Sequence, residues 1–289
     1  MRCLVTGHQG YIGGHLIKKL REKGHVVVGI DFANDPQQNL LYCLENNPYY
    51  ASFQPECIFH LACIPRVAYS VANPVSTMQN NVIATTKVLD FARKVRAKRV
   101  VYSGSSSVVG DGNGPNSPYG LQKLVSEMEC KLYSELYNLD TVTLRYFNVY
   151  SPDQKAEGAY ATAVSNFMQH IRDEKQPFIT GDGEQRRDMA NVEDVVSANI
   201  FAMEHESDFG GKYFDIGTGD NISLNEIAKI VNKHFPHVKF SYVESREGDV
   251  LYTKADMGPM KNIGWQPKID IIEGVEECFI KLKQEIKRR

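Results

Sequence analysis

The chain has no apolar stretch approaching the ~20 residues that a membrane-spanning helix needs, so no such anchor is expected. Its six cysteines (Cys3, Cys43, Cys57, Cys63, Cys130, Cys278) contain no C-x-x-C pair. Its eight histidines show no ligand spacing. A metal site is therefore not expected, nor a disulfide framework in a chain of 289 residues. Cys3, Cys57 and Cys63 lie in apolar, strand-like runs, where a thiol acts as a small core side chain. A reducing, cytoplasmic setting fits them. No block of one charge sign precedes the short basic end at Lys287, Arg288 and Arg289, and the net charge is −2. Neither nucleic acid nor an anionic membrane is implied as a partner. Repeats, low-complexity segments and long linkers are also missing. An apolar run begins at once after Arg2, so no leader peptide is expected.

What is present is an alternation. RCLVT (2–6), HVVVGID (25–31), ECIFHLAC (56–63), KRVVYSGS (98–105) and TVTLRYFNVY (141–150) are continuous apolar runs, as in strands buried on both faces. Helical spacing separates them. Ile12, Leu16, Ile17 and Leu20 share one face before Gly24, and further helices are expected over 76–96 and 119–137. This order predicts an α/β fold with a doubly wound, Rossmann-like parallel sheet. After Tyr150 the pattern changes to shorter strands and helices, with a helix opening at Ser223 and Glu226 placed to complete a capping box. A smaller, interleaved α/β domain is expected there.

TGHQGYIG places Gly7, Gly10 and Gly13 between the first strand and the first helix. Glycines there let the backbone approach a pyrophosphate at a helix N-terminus. Asp31 ends the second strand, where a carboxylate can bind a ribose diol and repel a 2′-phosphate. NAD is thus expected over NADP. The fourth apolar run ends in serines at the carboxyl edge of the sheet, and SPYGLQK then opens a helix. Tyr119 and Lys123 lie one turn apart on that helix. A phenol has a pKa near ~10, so it needs a neighbouring cation to act as a base at neutral pH. A serine hydroxyl beside it could bind the substrate oxygen that loses a proton.

The glycine turn, the serine strand and Y-x-x-x-K together resemble the extended short-chain dehydrogenase/reductases, and most of all their nucleotide-sugar 4-epimerases. The resemblance implies a cofactor site of Gly7, Gly10, Tyr11, Ile12, Gly13, Asp31, Leu61, Ala62, Asn80, Tyr119 and Lys123, with Asn80 preferred to Asn81. It implies catalysis by Ser105, Tyr119 and Lys123, with Ser105 preferred to Ser103, Ser106 and Ser107 by its distance from Gly110. The two residues after the catalytic hydroxyl are a carboxylate pair in the family's 4,6-dehydratases, and a Glu stands second in its decarboxylases. Here they are Ser106 and Ser107, which leaves epimerisation. LRYFNVYSP resembles the segment whose Asn contacts the substrate diphosphate, here Asn148. GDGEQRRDM resembles GDGxxxRDF and implies Arg187 as a diphosphate clamp, with Arg186 as its neighbour. REGDV implies Arg246 as a second clamp and Asp249 as a ribose contact. Thr253 stands where the family borders the sugar 2-position, and a small residue there accompanies N-acetyl sugars.

The resemblance further implies a UDP-sugar substrate, UDP-N-acetylglucosamine or UDP-glucose, and a homodimer built on helices 76–96 and 119–137. The expected NAD-binding domain is 1–149 plus about 188–218, and the nucleotide-sugar domain is 150–187 plus 219–289. His60 and Tyr102 are expected in the core, and Trp265 at a structural position. One departure stands out. Between Asp31 and His60 the chain is too short for the family's adenine-binding strand, and NLLYCLENNPYYASFQPE leaves room only for a helix and a connection.

Overall fold

The computed structural model describes residues 1–33, 35–110, 112–156, 162–245 and 250–288. The chain forms two compact units, 1–145 with 195–215, and 146–194 with 216–289. Residues 146–149, 188–194 and 216–218, expected in the first unit, belong to the second. Asp188 explains much of this. Its buried carboxylate accepts from the backbone N–H groups of Thr218, Gly219 and Ala255, and that ties its segment to the 216–289 stretch.

In chain order the elements begin with β1 (Arg2–Thr6), α1 (Tyr11–Glu22), β2 (Val26–Ile30), α2 (Cys43–Asn46), α3 (Pro48–Phe53) and β3 (Cys57–His60). Next come α4 (Val67–Ala72), α5 (Pro74–Met78), a π-turn at Gln79–Ile83, α6 (Ala84–Lys94), β4 (Arg99–Ser105), α7 (Pro118–Tyr137) and β5 (Asp140–Tyr146). Then follow α8 (Ala163–Arg172), β6 (Phe178–Thr180), β7 (Arg186–Arg187), α9 (Val192–Glu204), β8 (Lys212–Ile216) and β9 (Ile222–Ser223). The chain ends with α10 (Leu224–His234), β10 (Ser241–Val243), α11 (Gly258–Asn262) and α12 (Ile271–Arg288).

The first unit carries a six-stranded sheet in the order β2-β1-β3-β4-β5-β8. β1 pairs in parallel with β2 on one side and β3 on the other. Right-handed crossovers leaving in opposite directions put helices on opposite faces, so the doubly wound sheet follows from this order. The strand order reverses between β1 and β3, and ligands of such sheets bind beyond that point. Leu4, Ile58 and Val100 share a core with Leu40, Leu44, Tyr50, Val88 and Leu89. On the opposite face, Cys3 meets Met203 of α9 at 3.5 Å.

β2 is an edge strand of this sheet. The segment after it forms two short helices, α2 and α3, rather than the one expected. Asn47 separates them, capping α3 through its side chain just ahead of Pro48. The helix expected over 76–96 is also interrupted. It contains the π-turn, at which Asn81 turns inward. Cys63 is half-buried beyond the end of β3 and is not a core strand residue. Arg99 is 1% exposed. It binds Asp140 and donates to the carbonyls of Ala202, His205 and Ser207.

In the second unit β6 pairs with β10, and β7 pairs with β9. Its core gathers Phe167, Met168 and Ile171 of α8 with Ile227 and Val231 of α10 and Val275 and Phe279 of α12. Ser223 and Glu226 form the expected capping box at the start of α10. Trp265 is buried in this unit. Among the described residues, no helix is long and apolar enough to cross a membrane.

Candidate active site

The glycine turn lies at the switch point. Gly7 has φ +72°, and a side chain there would put its Cβ 2.7 Å from the Ala62 nitrogen. A Cβ on Gly13 would lie 2.2 Å from the Gly7 oxygen. Only glycine lets the turn, the start of α1 and the Leu61–Ala62 loop come this close. α1 begins at Tyr11 and Ile12 with no side-chain cap and no acid in its first turn. Its amide donors suit an anion. Asp31 accepts from the Gln9 N–H and the Ala33 N–H, each at 3.0 Å, which binds the turn to the end of β2. A carboxylate has about four lone-pair sites, so a ribose diol can still be received.

His60 is buried between Thr6 Oγ1, 2.7 Å from its Nδ1, and Thr85 Oγ1, 3.0 Å from its Nε2. Burial pulls its pKa down to about 3. It is a neutral core group, as expected from its place in β3.

β4 ends at Ser105, whose Oγ accepts from the Ser107 N–H at 3.2 Å and the Ser107 hydroxyl at 2.9 Å. Ser103 lies further back in β4 and is buried. α7 opens with Ser117 as N-cap and Pro118 in its first turn, and the Tyr119 N–H donates to Ser70 Oγ at 3.0 Å. A Cβ on Gly120 would lie 2.6 Å from the Ser107 carbonyl oxygen. The glycine after Tyr119 therefore lets the helix start close on the serine turn. Lys123 Nζ donates to the Ser103 carbonyl at 2.7 Å. It lies 6.0 Å from the Tyr119 ring centroid and 4.9 Å from that of Tyr102, a buried residue. Burial pushes the Tyr119 phenol up to about 12, while Lys123 and Ser105 pull it down.

Asn81, not Asn80, makes the buried ties. Its Oδ1 accepts from the Ile64 N–H at 2.7 Å, and its Nδ2 donates to Gln122 Oε1 at 2.8 Å. It thereby joins the loop after β3 to α7. The Asn80 amide donates back to the Ser76 carbonyl.

In the second unit Asn148 has φ +28° and donates to the Asp188 carbonyl at 2.7 Å. Side chains alternate along β7. Arg186 turns to Asn221 and Glu226, at 2.6 and 2.9 Å. Arg187 lines a cavity of ≈ 290 Å³ together with Asn148. Thr253 pairs through its backbone with Arg186, and its Oγ1 accepts from the Asp188 N–H at 3.1 Å. Arg246 and Asp249 lie outside the described residues. Among the described residues no cluster suits a metal ion.

Residues 3–217 match the family described as NAD dependent epimerase/dehydratase. The chain belongs to that family. It is 33% identical to a putative UDP-glucose 4-epimerase of Methanocaldococcus jannaschii, over 94% of this chain and 95% of the relative. UDP-glucose 4-epimerase of Thermotoga maritima, solved with UDP-glucose, superposes with a TM-score of 0.90 at 30% identity, covering 99% of this chain and 100% of that one. UDP-N-acetylglucosamine 4-epimerase of Methanobrevibacter ruminantium, solved with UDP-N-acetylmuramic acid, gives 0.87 at 28%, covering 100% and 99%. In a member of an NAD-dependent family, the glycine cradle, the uncapped helix start and Asp31 are the features that fit the cofactor. Gln185, two residues before Arg187 and lining the same cavity, escaped the sequence reading because GDGxxxRDF leaves its position open.

Proposed function

We propose that this chain is an NAD-dependent 4-epimerase of a UDP-hexose. The observation that carries the reading is the Ser105–Tyr119–Lys123 group at the end of β4, followed by Ser106 and Ser107. NAD bound on the glycine turn would accept hydride from the sugar C4 and return it. The chain's own groups handle the proton. Tyr119 takes it from the C4 hydroxyl and gives it back, and Ser105 hydrogen-bonds the same oxygen. Lys123 stabilises the phenolate by its charge. Asp31 favours a free ribose 2′-hydroxyl on the cofactor.

Asn148 and Arg187 are the proposed holders of the substrate diphosphate, with Arg246 and Asp249 as further contacts. A guanidinium fork matches phosphate oxygens. Ser107 stands within a hydrogen bond of Ser105 and has no acid–base capacity near neutral pH, which weighs against elimination and decarboxylation. Thr253 is small where the sugar 2-substituent would lie, so we favour UDP-N-acetylglucosamine with UDP-glucose as a further substrate. A homodimer is part of the proposal. Leu121, Met128, Leu132 and Leu136 leave an apolar stripe along α7, each at least 47% exposed.

The test is incubation with NAD and either UDP-N-acetylglucosamine or UDP-glucose, with NMR of the sugar. Appearance of the 4-epimer supports the reading. An unchanged sugar, or loss of CO₂ from a UDP-uronate instead, overturns it. A second reading, a binding protein without turnover, has the intact serine, tyrosine and lysine against it.

A further inference from the structure

Arg145 lies in β5, beside the end of β4. A Cβ on Gly104 would come within 3.2 Å of Arg145 Cγ, so the arginine stem rests on β4 between Ser103 and Ser105. Its guanidinium reaches on to α7. There Nε and Nη2 donate to the two carboxylate oxygens of Glu127, at 2.8 and 2.6 Å. The two side chains are only 11% and 9% exposed, so little solvent screens the pair. From β8, the Tyr213 ring covers the guanidinium at 3.5 Å. Glu127 also stands one turn beyond Lys123 on α7, and side chains four apart on a helix are neighbours. A buried carboxylate placed there has good reason to draw the ammonium. It does not: Lys123 donates to the Ser103 carbonyl, and Glu127 gives both oxygens to Arg145.

We infer that Arg145 and Glu127 are positioning residues: the guanidinium occupies the carboxylate that would otherwise pull Lys123 along α7, and so leaves the ammonium to act on the Tyr119 phenol. This rests on the proton-transfer reading above. A cation paired with a carboxylate has a much weaker field at a third group than a cation alone, and low dielectric sharpens the difference. Without Arg145, Glu127 would be a buried anion short of its partner, with Lys123 the cation next to it on the helix. Groups on the surrounding elements do not take over this task. Burial holds His60 of β3 neutral, and it pushes the Tyr102 phenol of β4 and the Cys130 thiol of α7 well above their ordinary values. Cys63, after β3, acts on the Tyr119 phenol in the opposite sense to Lys123. Asp215 of β8 adds its charge to that of Glu127 at the guanidinium.

The test is the pH profile of kcat/KM for the full chain, saturated with NAD, on the UDP-sugar it epimerises. It is run on the native protein, Arg145→Met, Glu127→Gln and the double variant. Arg145→Met frees an anion beside Lys123, so the climb of the profile should move to higher pH by about one unit or more. The rate at neutral pH should then fall by about 10-fold, with UDP affinity retained. The double variant removes the competing anion as well, and its climb should return toward the native position. Glu127→Gln alone should move the climb to lower pH. A merely structural pair would lower the rate at every pH and leave the climb in place, and the double variant would be no nearer the native protein than Arg145→Met. Either result would overturn the inference. If Arg145→Met melts, Glu127→Gln decides: an unmoved climb, or one moved to higher pH, would overturn it. The phenolate absorbance of Tyr119, taken as the difference between each protein and its Tyr119→Phe counterpart, should shift in the same directions without turnover. A protein that epimerises no UDP-sugar loses the proposed function, and this absorbance series then decides the inference separately.

Discussion

Gly120 stands so near Ser107 that a methyl group on it would lie 2.6 Å from the Ser107 carbonyl oxygen. That approach brings the first turn of α7, which carries Tyr119, against the serine turn at the end of β4. Tyr119→Phe removes the proton carrier and almost no surface. Turnover should fall by at least about 10²-fold with UDP affinity retained. Gly120→Ala should also lower turnover, through position alone. Steady-state kinetics beside a UDP titration checks both, and near-native turnover in Tyr119→Phe would remove the tyrosine from the mechanism.

The pH profile should carry the same signature. The base is the phenolate, and burial raises the Tyr119 pKa to about 12. The reactive form is therefore the minor one at neutral pH, and kcat/KM should climb as pH rises. Lys123 pulls the phenol downward. Lys123→Met should displace the climb to higher pH and lower the rate at neutral pH. An unmoved profile would mean that the ammonium has another task.

Asp31 should decide between the two nicotinamide cofactors. Calorimetry should find NAD bound more tightly than NADP, because a 2′-phosphate would meet the carboxylate. Asp31→Asn should narrow that gap, and it should also loosen the turn, since Gln9 and Ala33 both donate to this side chain. Tighter binding of NADP by the native protein would defeat the assignment.

Thr253→Tyr should bias the protein against N-acetyl sugars. A phenol ring takes the volume of an acetamido group, and overpacking typically costs about 1–3 kcal/mol. The kcat/KM for UDP-N-acetylglucosamine should drop relative to UDP-glucose by roughly 10-fold or more. An unchanged ratio would move the size gate elsewhere.

Leu132→Glu should separate the proposed dimer. The substitution sets a charge within the stripe of Met128, Leu132 and Leu136, all exposed on α7. Sedimentation should show two chains per particle for the native protein and one for the variant. A native monomer would refute the dimer.

Motifs with a fixed physical task were legible in the sequence. The glycine turn, the capping box at Ser223 and the one-turn spacing of Tyr119 and Lys123 each follow from local geometry. The inward turn of Asn81 was not. It depends on a π-turn, whose extra residue leaves no mark in apolar periodicity, and on Gln122 in a distant helix. The split between α2 and α3 could have been read from Asn47 before Pro48, since a side-chain cap followed by a first-turn proline marks a helix start. The resemblance preferred Arg187 to Arg186, but only the fold shows their different surroundings, Arg186 at Asn221 and Glu226 and Arg187 in the cavity wall.

The Arg99 guanidinium has a consequence for how the protein is made. Its partners are Asp140, which emerges soon after it during synthesis, and the carbonyls of Ala202, His205 and Ser207, which emerge much later. In between, the ribosome delivers residues 146–194 of the other unit. A nascent chain ending at residue 145 would hold this buried cation with a single anion and three donor bonds missing, and a buried ion pair stripped of such support is costly. The first unit therefore cannot complete its core in the order in which it is translated. Its early strands must wait for β8, and a truncation at residue 145 would give an aggregation-prone fragment rather than a free-standing cofactor domain.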